Sequence, residues 1–310
     1  MVQYADFHKR SIQDRDAFWA EQAQHIEWHK APQEICDYSN PPFARWFKGG
    51  ETNLCHNAVD RHLKDRGDQA ALIFISTETD QEVTYTYKQL HAEVQRMAAS
   101  LLSLGVKKGD RVLIYMPLIP EAVIAMLGCA RIGAVHTVVF GGFSSDSIKD
   151  RLADSGAKIV VTADAGYRRG QIVTIKQNVD HALAGSTEVK RVIVAKRTDI
   201  EVNIQEDRDV WWHQEAQYVS ADCPAVPVDS GHPLFILYTS GSTGKPKGIL
   251  HTSAGYLRGT SYTHWAIFDM KPDDVTLEQA IEFIAARESG GGGASGGKVL
   301  GEHPDGGTIT

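Results

Sequence analysis

Short apolar segments rich in β-branched residues alternate with segments of helical periodicity through most of this 310-residue chain, and this alternation constrains the fold more than any other feature. A strand followed by a helix, repeated many times, is typical of a parallel sheet whose two faces are covered by helices. The strand candidates are residues 71–75, 83–87, 111–115, 136–140, 158–162, 191–194 and 234–238. The sequence therefore predicts an α/β fold, mainly a parallel sheet with flanking helices.

Helix signals lie between these strands. Leu90, Val94, Met97 and Leu101 recur at helical spacing before Gly105, which supplies a stop. Proline is favoured in the first turn of a helix, so a second helix is predicted from Pro120 to about residue 131. A third is predicted from an N-cap at Ser144 or Ser145 to about residue 154, with Gly156 beyond it. Residues 1–60 contain several tryptophans and are predicted to form a helical and irregular layer.

The segment that follows the last strand is rich in glycines, hydroxyls and lysines. Glycines let backbone N–H groups converge on an anion, and hydroxyls and lysines add donors and positive charge. The alternative is an exposed turn, since glycine and serine are common in loops. An apolar strand that leads directly into hydroxyls and paired lysines favours phosphate binding. The candidate phosphate ligands are Thr239, Ser240, Gly241, Ser242, Thr243, Gly244, Lys245 and Lys247.

This segment differs from the common P-loop. That motif requires GxxxxGK followed by serine or threonine, whereas Pro246 follows Lys245 here and Thr239 stands in the place of the first glycine. Kinases and GTPases of the P-loop type are therefore excluded.

Composition restricts the partners and the compartment. The formal net charge of −7 argues against a nucleic-acid partner, because phosphate backbones require an electropositive face. Four widely spaced cysteines without a CxxC pair predict neither a zinc site nor a disulfide framework. The N-terminus shows no apolar signal segment, and the most apolar stretch is interrupted by prolines and charges. A cytoplasmic protein that does not interact with membranes is expected.

The order Thr-Ser-Gly-Ser-Thr-Gly-Lys-Pro-Lys at residues 239–247 resembles the signature of the acyl-adenylate-forming superfamily. Residues 40–47, 52–59, 109–117 and 136–143 also resemble segments of short-chain acyl-CoA synthetases, most closely the propionyl-CoA type and next the acetyl-CoA type. The resemblance implies the N-terminal part of the large adenylate-forming domain, with residues 1–60 as its first layer and 61–271 as a truncated AMP-binding domain. It also implies ATP, Mg²⁺ and CoA as cofactors. In that family a carboxylate attacks ATP to give an acyl-adenylate and pyrophosphate, and CoA then displaces AMP.

By the same resemblance, Phe140, Gly141, Gly142 and Arg168 would form the surface that binds the CoA nucleotide, with an aromatic face for adenine and a guanidinium for phosphate. Two alternatives remain: Phe140 could be the last core residue of a strand, and Arg168 a solvated surface charge. The second arginine that acetyl-type relatives carry three positions later is Gln171 here.

Residues 272–310 have a different character. They combine a short amphipathic segment at 276–286 with a Gly-rich stretch at 288–297, and a short, largely disordered tail is expected. The tail resembles a C-terminal repeat of bacterial DNA topoisomerase I, so the sequence predicts a chimera joined near residues 272–275. Without the family's carboxylate pocket and C-terminal lysine, a synthetase fragment that is inert by itself is expected. A non-catalytic ATP-binding module and a DNA-interacting protein are the alternatives.

Overall fold

The alternation of strands and helices seen in the sequence forms the framework of the fold. The computed structural model describes residues 4–185, 188–198, 200–220, 222–239 and 246–266. The strands are β1 Glu34–Asn40, β2 Phe43–Lys48, β3 Glu51–Thr52, β4 Ala70–Ser76, β5 Gln81–Thr86, β6 Arg111–Met116, β7 Val135–Phe140, β8 Ile159–Ala163, β9 Gly166–Arg168, β10 Gln171–Val173, β11 Arg191–Ala195, β12 Asp209–Trp211, β13 Val228–Asp229, β14 Pro233–Thr239 and β15 Lys247–Thr252. The helices are α1 Tyr4–Gln13, α2 Arg15–Ala23, α3 Leu54–Ala58, α4 Leu63–Arg66, α5 Tyr87–Ser103, α6 Pro120–Arg131, α7 Ser145–Ser155, α8 Ile175–Leu183, α9 Trp212–Tyr218 and α10 Ser253–Ala266.

The largest sheet has seven strands within the described residues, in the order β12-β11-β8-β6-β7-β14-β15. Every neighbouring pair is parallel except β14 and β15, which are antiparallel. The predicted α/β fold with a mainly parallel sheet is therefore confirmed. The antiparallel edge strand β15 was not predicted from the sequence.

Helices cover both faces of this sheet, and the alternation of side chains along β6 shows how. Val112 and Ile114 point into a core shared with α5 and α6, whereas Leu113 and Tyr115 point into a second core shared with α7 and α8. All four residues are 0% exposed. A strand that is buried on both faces reads as a continuous apolar run, which explains the sequence pattern.

The start of α6 and both ends of α7 follow the predicted signals. Pro120 occupies the first turn of α6, whereas Thr86, which was not predicted as a cap, caps α5 in a reciprocal arrangement with Gln89. Ser144 caps α7 by accepting the backbone N–H of Ser147, and Gly156 ends that helix in the left-handed conformation with φ of 61°.

The N-terminal layer contains more regular structure than the sequence indicated. Besides α1 and α2 it has an antiparallel pair, β1 and β2, which the prediction of a helical and irregular layer missed. A buried ion pair joins this layer to α6, because Arg131 (1% exposed) donates to both carboxylate oxygens of Asp60 at 2.8 and 2.9 Å. The tryptophans pack as expected, with the Trp19 and Trp46 rings 5.9 Å apart.

None of the helices in the described part of the chain is long and apolar enough to cross a membrane. The predicted tail at 272–310, with its helical segment and Gly-rich stretch, lies outside the described residues.

Candidate functional site

The carboxyl ends of β6, β7, β8 and β14 meet at one edge of the sheet, because these strands run parallel. Open α/β sheets bind their ligands at this edge. The predicted phosphate-binding segment, residues 239–247, begins at this edge, because β14 ends at Thr239 and the antiparallel β15 starts at Lys247. Thr239 and Lys247 are register partners in that pair, and both are exposed. The rest of the predicted phosphate ligands, Ser240, Gly241, Ser242, Thr243, Gly244 and Lys245, lie outside the described residues.

The four residues predicted to bind the CoA nucleotide all line one cavity of about 340 Å³ at the same edge. Phe140 ends β7 and is 48% exposed, so it is not a core residue. Arg168 ends β9, and its Cζ lies 5.8 Å from the centroid of the Phe140 ring, a distance typical of a cation–π contact. An exposed aromatic face and a guanidinium thus stand side by side in an open cavity.

Two glycines make this arrangement possible. A Cβ on Gly142 would lie 2.7 Å from Arg168 Nη1 and 2.8 Å from Phe140 Cε1. A Cβ on Gly141 would lie 2.8 Å from Ile175 Cδ1. Any larger residue at position 142 would therefore require the guanidinium or the ring to move.

A buried tyrosine that the sequence analysis did not single out holds the turn after β7. The hydroxyl of Tyr115 lies 3.1 Å from the carbonyl oxygen of Gly141 and 2.7 Å from that of Phe143. Asn178 on α8 donates to the same hydroxyl at 3.2 Å. Burial raises the pKa of Tyr115, so the hydroxyl stays protonated and donates. A lone polar group in an otherwise aliphatic strand is the sequence signal that could have revealed it.

A second guanidinium, Arg197, lines the same cavity and was also missed. Its Cζ lies 5.5 Å from the Phe74 ring and 5.7 Å from the Tyr167 ring, while its nitrogens donate to neutral oxygens such as Gln81 Oε1 at 2.8 Å. The buried carboxylate of Asp164 fixes its backbone by accepting the Arg197 N–H at 2.8 Å. Arg197 follows β11, so only the sheet order brings it to this edge. Gln171 pairs with Arg168 across the β9–β10 hairpin.

Arg151 on α7 connects the turn after β7 with the end of β14. Its Cζ lies 5.0 Å from the Phe143 ring and 5.3 Å from the Tyr238 ring. The hydroxyl of Tyr238 donates to Asp154 at 2.5 Å. Burial, followed by the nearby Asp154 carboxylate, raises the pKa of Tyr238. One helix therefore contacts both the turn after β7 and the end of β14.

This edge, with the predicted phosphate-binding segment and an aromatic–guanidinium cavity at the carboxyl ends of parallel strands, is typical of α/β proteins that bind ligands there. The family described as AMP-binding enzyme matches residues 59–282, and the acetyl-coenzyme A synthetase N-terminus matches residues 4–58. The chain belongs to the AMP-binding enzyme family.

Individual relatives agree with this assignment. The chain is 53% identical over 270 residues to an acetyl-coenzyme A synthetase of Streptomyces coelicolor, covering 87% of this chain and 41% of the relative. It is 49% identical over 280 residues to that of Bdellovibrio bacteriovorus, covering 88% and 43%. The structure of acetoacetyl-CoA synthetase from Streptomyces lividans superposes with a TM-score of 0.82 at 28% identity, covering 88% of this chain and 42% of that one. The chain thus spans about two fifths of the length of these proteins.

The family match to residue 282 passes the domain boundary that the sequence predicts at 271. That boundary, the predicted chimera and the resemblance of the tail to a topoisomerase repeat stay predictions.

Proposed function

We propose that this chain provides the ATP-phosphate and CoA-nucleotide binding surfaces of a short-chain acyl-CoA synthetase of the AMP-forming type. The reaction is the activation of a short-chain carboxylate to an acyl-adenylate with release of pyrophosphate, followed by transfer of the acyl group to CoA with release of AMP. The observation that carries the proposal is that Thr239 and Lys247 share one sheet edge with the cavity of Phe140, Gly142 and Arg168.

The residue types of the predicted phosphate-binding segment suit the formation of the acyl-adenylate. Departure of pyrophosphate requires its charge to be neutralised by N–H groups, hydroxyls and lysines. Thr239 and Lys247 flank the segment across a register pair, so a polyphosphate held there meets donors from both strands. The residues between them, Ser240 to Lys245, are proposed to supply the remaining donors. Mg²⁺ would enter with ATP, bound to the phosphate oxygens.

The cavity suits the CoA nucleotide. Phe140 offers a ring face on which adenine can stack, and Arg168 offers a fork of N–H donors for a phosphate. A side chain at position 142 would collide with Arg168 and Phe140, so glycine there lets the guanidinium and the ring lie against the backbone of this surface.

The carboxylate is proposed to be propionate, with acetate as the alternative. The sequence resemblance favours propionate, whereas the relatives named above are acetyl-coenzyme A synthetases.

A second candidate is a non-catalytic nucleotide-binding module. The observation that favours it is that the candidate site residues in the described part of the chain are all assigned to nucleotides, and none of them to the carboxylate. Aligning a carboxylate with the α-phosphorus contributes about 7–11 kcal/mol to reactions of this kind, and phosphate binding alone does not supply it.

Calorimetry with the 310-residue chain tests the proposal. We expect binding of Mg-ATP that Lys247→Ala weakens by about tenfold, which corresponds to ~1.4 kcal/mol. We expect CoA binding that Arg168→Gln weakens while ATP binding is unchanged. Lys64→Ala, at an exposed lysine on α4, is the control and should bind both ligands normally. Absence of heat for both nucleotides with the unaltered chain would refute the proposal.

Exchange of pyrophosphate into ATP with propionate or acetate then tests whether this chain activates a carboxylate by itself. We expect the 310-residue chain to bind nucleotides and to show no exchange, because none of the proposed site residues binds the carboxylate. Robust exchange by the purified chain would show that it activates carboxylates by itself, and the preferred acid would identify the substrate.

A further inference from the structure

The cavity that contains Arg168 also contains a second guanidinium, that of Arg197, which has only neutral hydrogen-bond partners. Its Nη1 donates to Gln81 Oε1 at 2.8 Å, and its Nη2 donates to Ser76 Oγ and Thr79 Oγ1, both at 3.1 Å. These bonds do not use all the N–H donors of a guanidinium. No ion pair of the described residues involves Arg197. Its positive charge is therefore available to an anionic ligand.

The Arg197 guanidinium is held in position before any ligand binds. Its Cζ lies 5.5 Å from the centroid of the Phe74 ring and 5.7 Å from that of the Tyr167 ring. Asp164, which is 1% exposed, accepts the backbone N–H of Arg197 at 2.8 Å and so fixes the chain where it leaves β11. A side chain that is already ordered loses little conformational freedom when it binds an anion.

The other charges of the cavity also favour an anion. Arg168 is exposed, and Glu78 is the one carboxylate among the described residues that line the cavity. Glu78 accepts the backbone N–H of Gly170 at 3.0 Å. The charge of Arg197 also acts on the carboxyl of Glu121, but burial raises the pKa of that carboxyl. The lining therefore has a net positive charge, which suits a ligand with more than one phosphate.

The order of the strands indicates which phosphate of CoA would reach Arg197. Phe140 ends β7, and the neighbour of β7 on one side is β14, which leads to Thr239. Arg197 follows β11, which lies three strand spacings of ~4.8 Å from β7 in the opposite direction. The 5′-diphosphate of CoA carries the thiol arm and must point toward the ATP side, at β14. The 3′-phosphate leaves the opposite face of the ribose and would therefore point toward β11.

We propose that Arg197 binds the 3′-phosphate of CoA, while Arg168 serves the 5′-diphosphate. The inference rests on the proposed CoA site and assigns a second phosphate ligand to it. Gln171, the register partner of Arg168 in the β9–β10 hairpin, is neutral and does not supply this charge. Arg197 would thereby let the chain distinguish CoA from dephospho-CoA, which lacks only the 3′-phosphate.

Calorimetry with CoA and dephospho-CoA tests the assignment. We expect the unaltered chain to bind CoA about tenfold more tightly than dephospho-CoA, because a guanidinium–phosphate contact is charge-assisted. Arg197→Gln keeps N–H donors for the hairpin oxygens and removes the charge, so it should weaken CoA binding about tenfold and leave dephospho-CoA binding unchanged. Arg168→Gln should weaken the binding of both ligands. An equal loss for both ligands in Arg197→Gln, or no loss for CoA, would overturn the proposal.

Arg169→Gln is the matched control. It removes the same charge from an exposed residue next to Arg168, and it should leave the affinities for both ligands unchanged. A loss of CoA affinity in Arg169→Gln as large as that in Arg197→Gln would attribute the selectivity to net charge and would also overturn the proposal.

Phosphorus-31 NMR of CoA bound to the unaltered chain gives a second test, which holds even if Arg197→Gln does not fold. A neighbouring guanidinium should lower the pKa of the 3′-phosphate by about one, and this change should persist in Arg168→Gln. An unchanged pKa of the 3′-phosphate would refute the role of Arg197. If CoA still bound and Arg168→Gln still weakened it, the proposed CoA site would stand. A chain that does not bind CoA would refute both.

Discussion

Replacing Tyr115 by phenylalanine tests the structural basis of the CoA cavity most directly. The side chain is 0% exposed. Its hydroxyl lies within hydrogen-bond distance of the carbonyl oxygens of Gly141 and Phe143, and it accepts a hydrogen bond from the amide of Asn178. Tyr115→Phe keeps the ring and removes only the oxygen, so these groups lose their shared partner inside the protein. A buried polar group left without a partner costs about 1–3 kcal/mol.

We therefore expect the free energy of unfolding to fall by about 1–3 kcal/mol. At about 2–4 °C per kcal/mol for a chain of this size, the loss is large enough to measure by melting as well as by urea titration. CoA affinity should fall too, because the turn that presents Phe140 loses its anchor, whereas ATP affinity should not change. Tyr218→Phe, at a residue that is 84% exposed, is the control and should shift stability by less than ~0.5 kcal/mol. If Tyr115→Phe left both stability and CoA affinity at the values of the unaltered chain, the anchoring role of the hydroxyl would be wrong.

Three further changes have definite expected outcomes. Asp60→Asn leaves the buried Arg131 charge without its counter-ion and should cost about 3–5 kcal/mol in a urea titration; a loss below ~1 kcal/mol would contradict the buried pair. Burial lowers the pKa of His136 to about 4, so the unfolded chain takes up a proton that the folded chain excludes. The unfolding free energy should then fall by about 3 kcal/mol as the pH drops from ~6.5 to ~4, and His136→Phe should flatten that part of the profile. Gly142→Ala requires Arg168 or Phe140 to move and should weaken CoA binding about fivefold in calorimetry, with ATP binding as the internal control; unchanged CoA binding would count against the cavity.

Much of the central sheet could be predicted because its strands are short apolar runs, of which β6, β8 and β11 are buried on both faces. β6, β7 and β14 lie where apolar runs predict them, and the caps at Thr86 and Ser144 define helix starts through local hydrogen bonds. Such elements depend on neighbours in the sequence, and local patterns therefore reveal them.

The elements that the sequence analysis missed depend on distant partners. β1 and β2 are largely exposed, and their pairing is what makes them strands. β12 has only three residues and forms a strand because β11 lies beside it. Neither feature leaves a periodic pattern long enough to recognise.

The sequence by itself determined the α/β class and the family resemblance, and it predicts the phosphate-binding segment, because these reside in periodicity and in a contiguous set of residue types. Only the tertiary structure decided that Phe140 and Arg168 share a cavity, that Tyr115 and Arg197 support it, and that Arg131 is buried beside Asp60. The physical reason is that parallel strands collect their carboxyl ends at one edge whatever their separation along the chain. Likewise, the burial of a charge is set by what packs around it and not by the residues that precede and follow it.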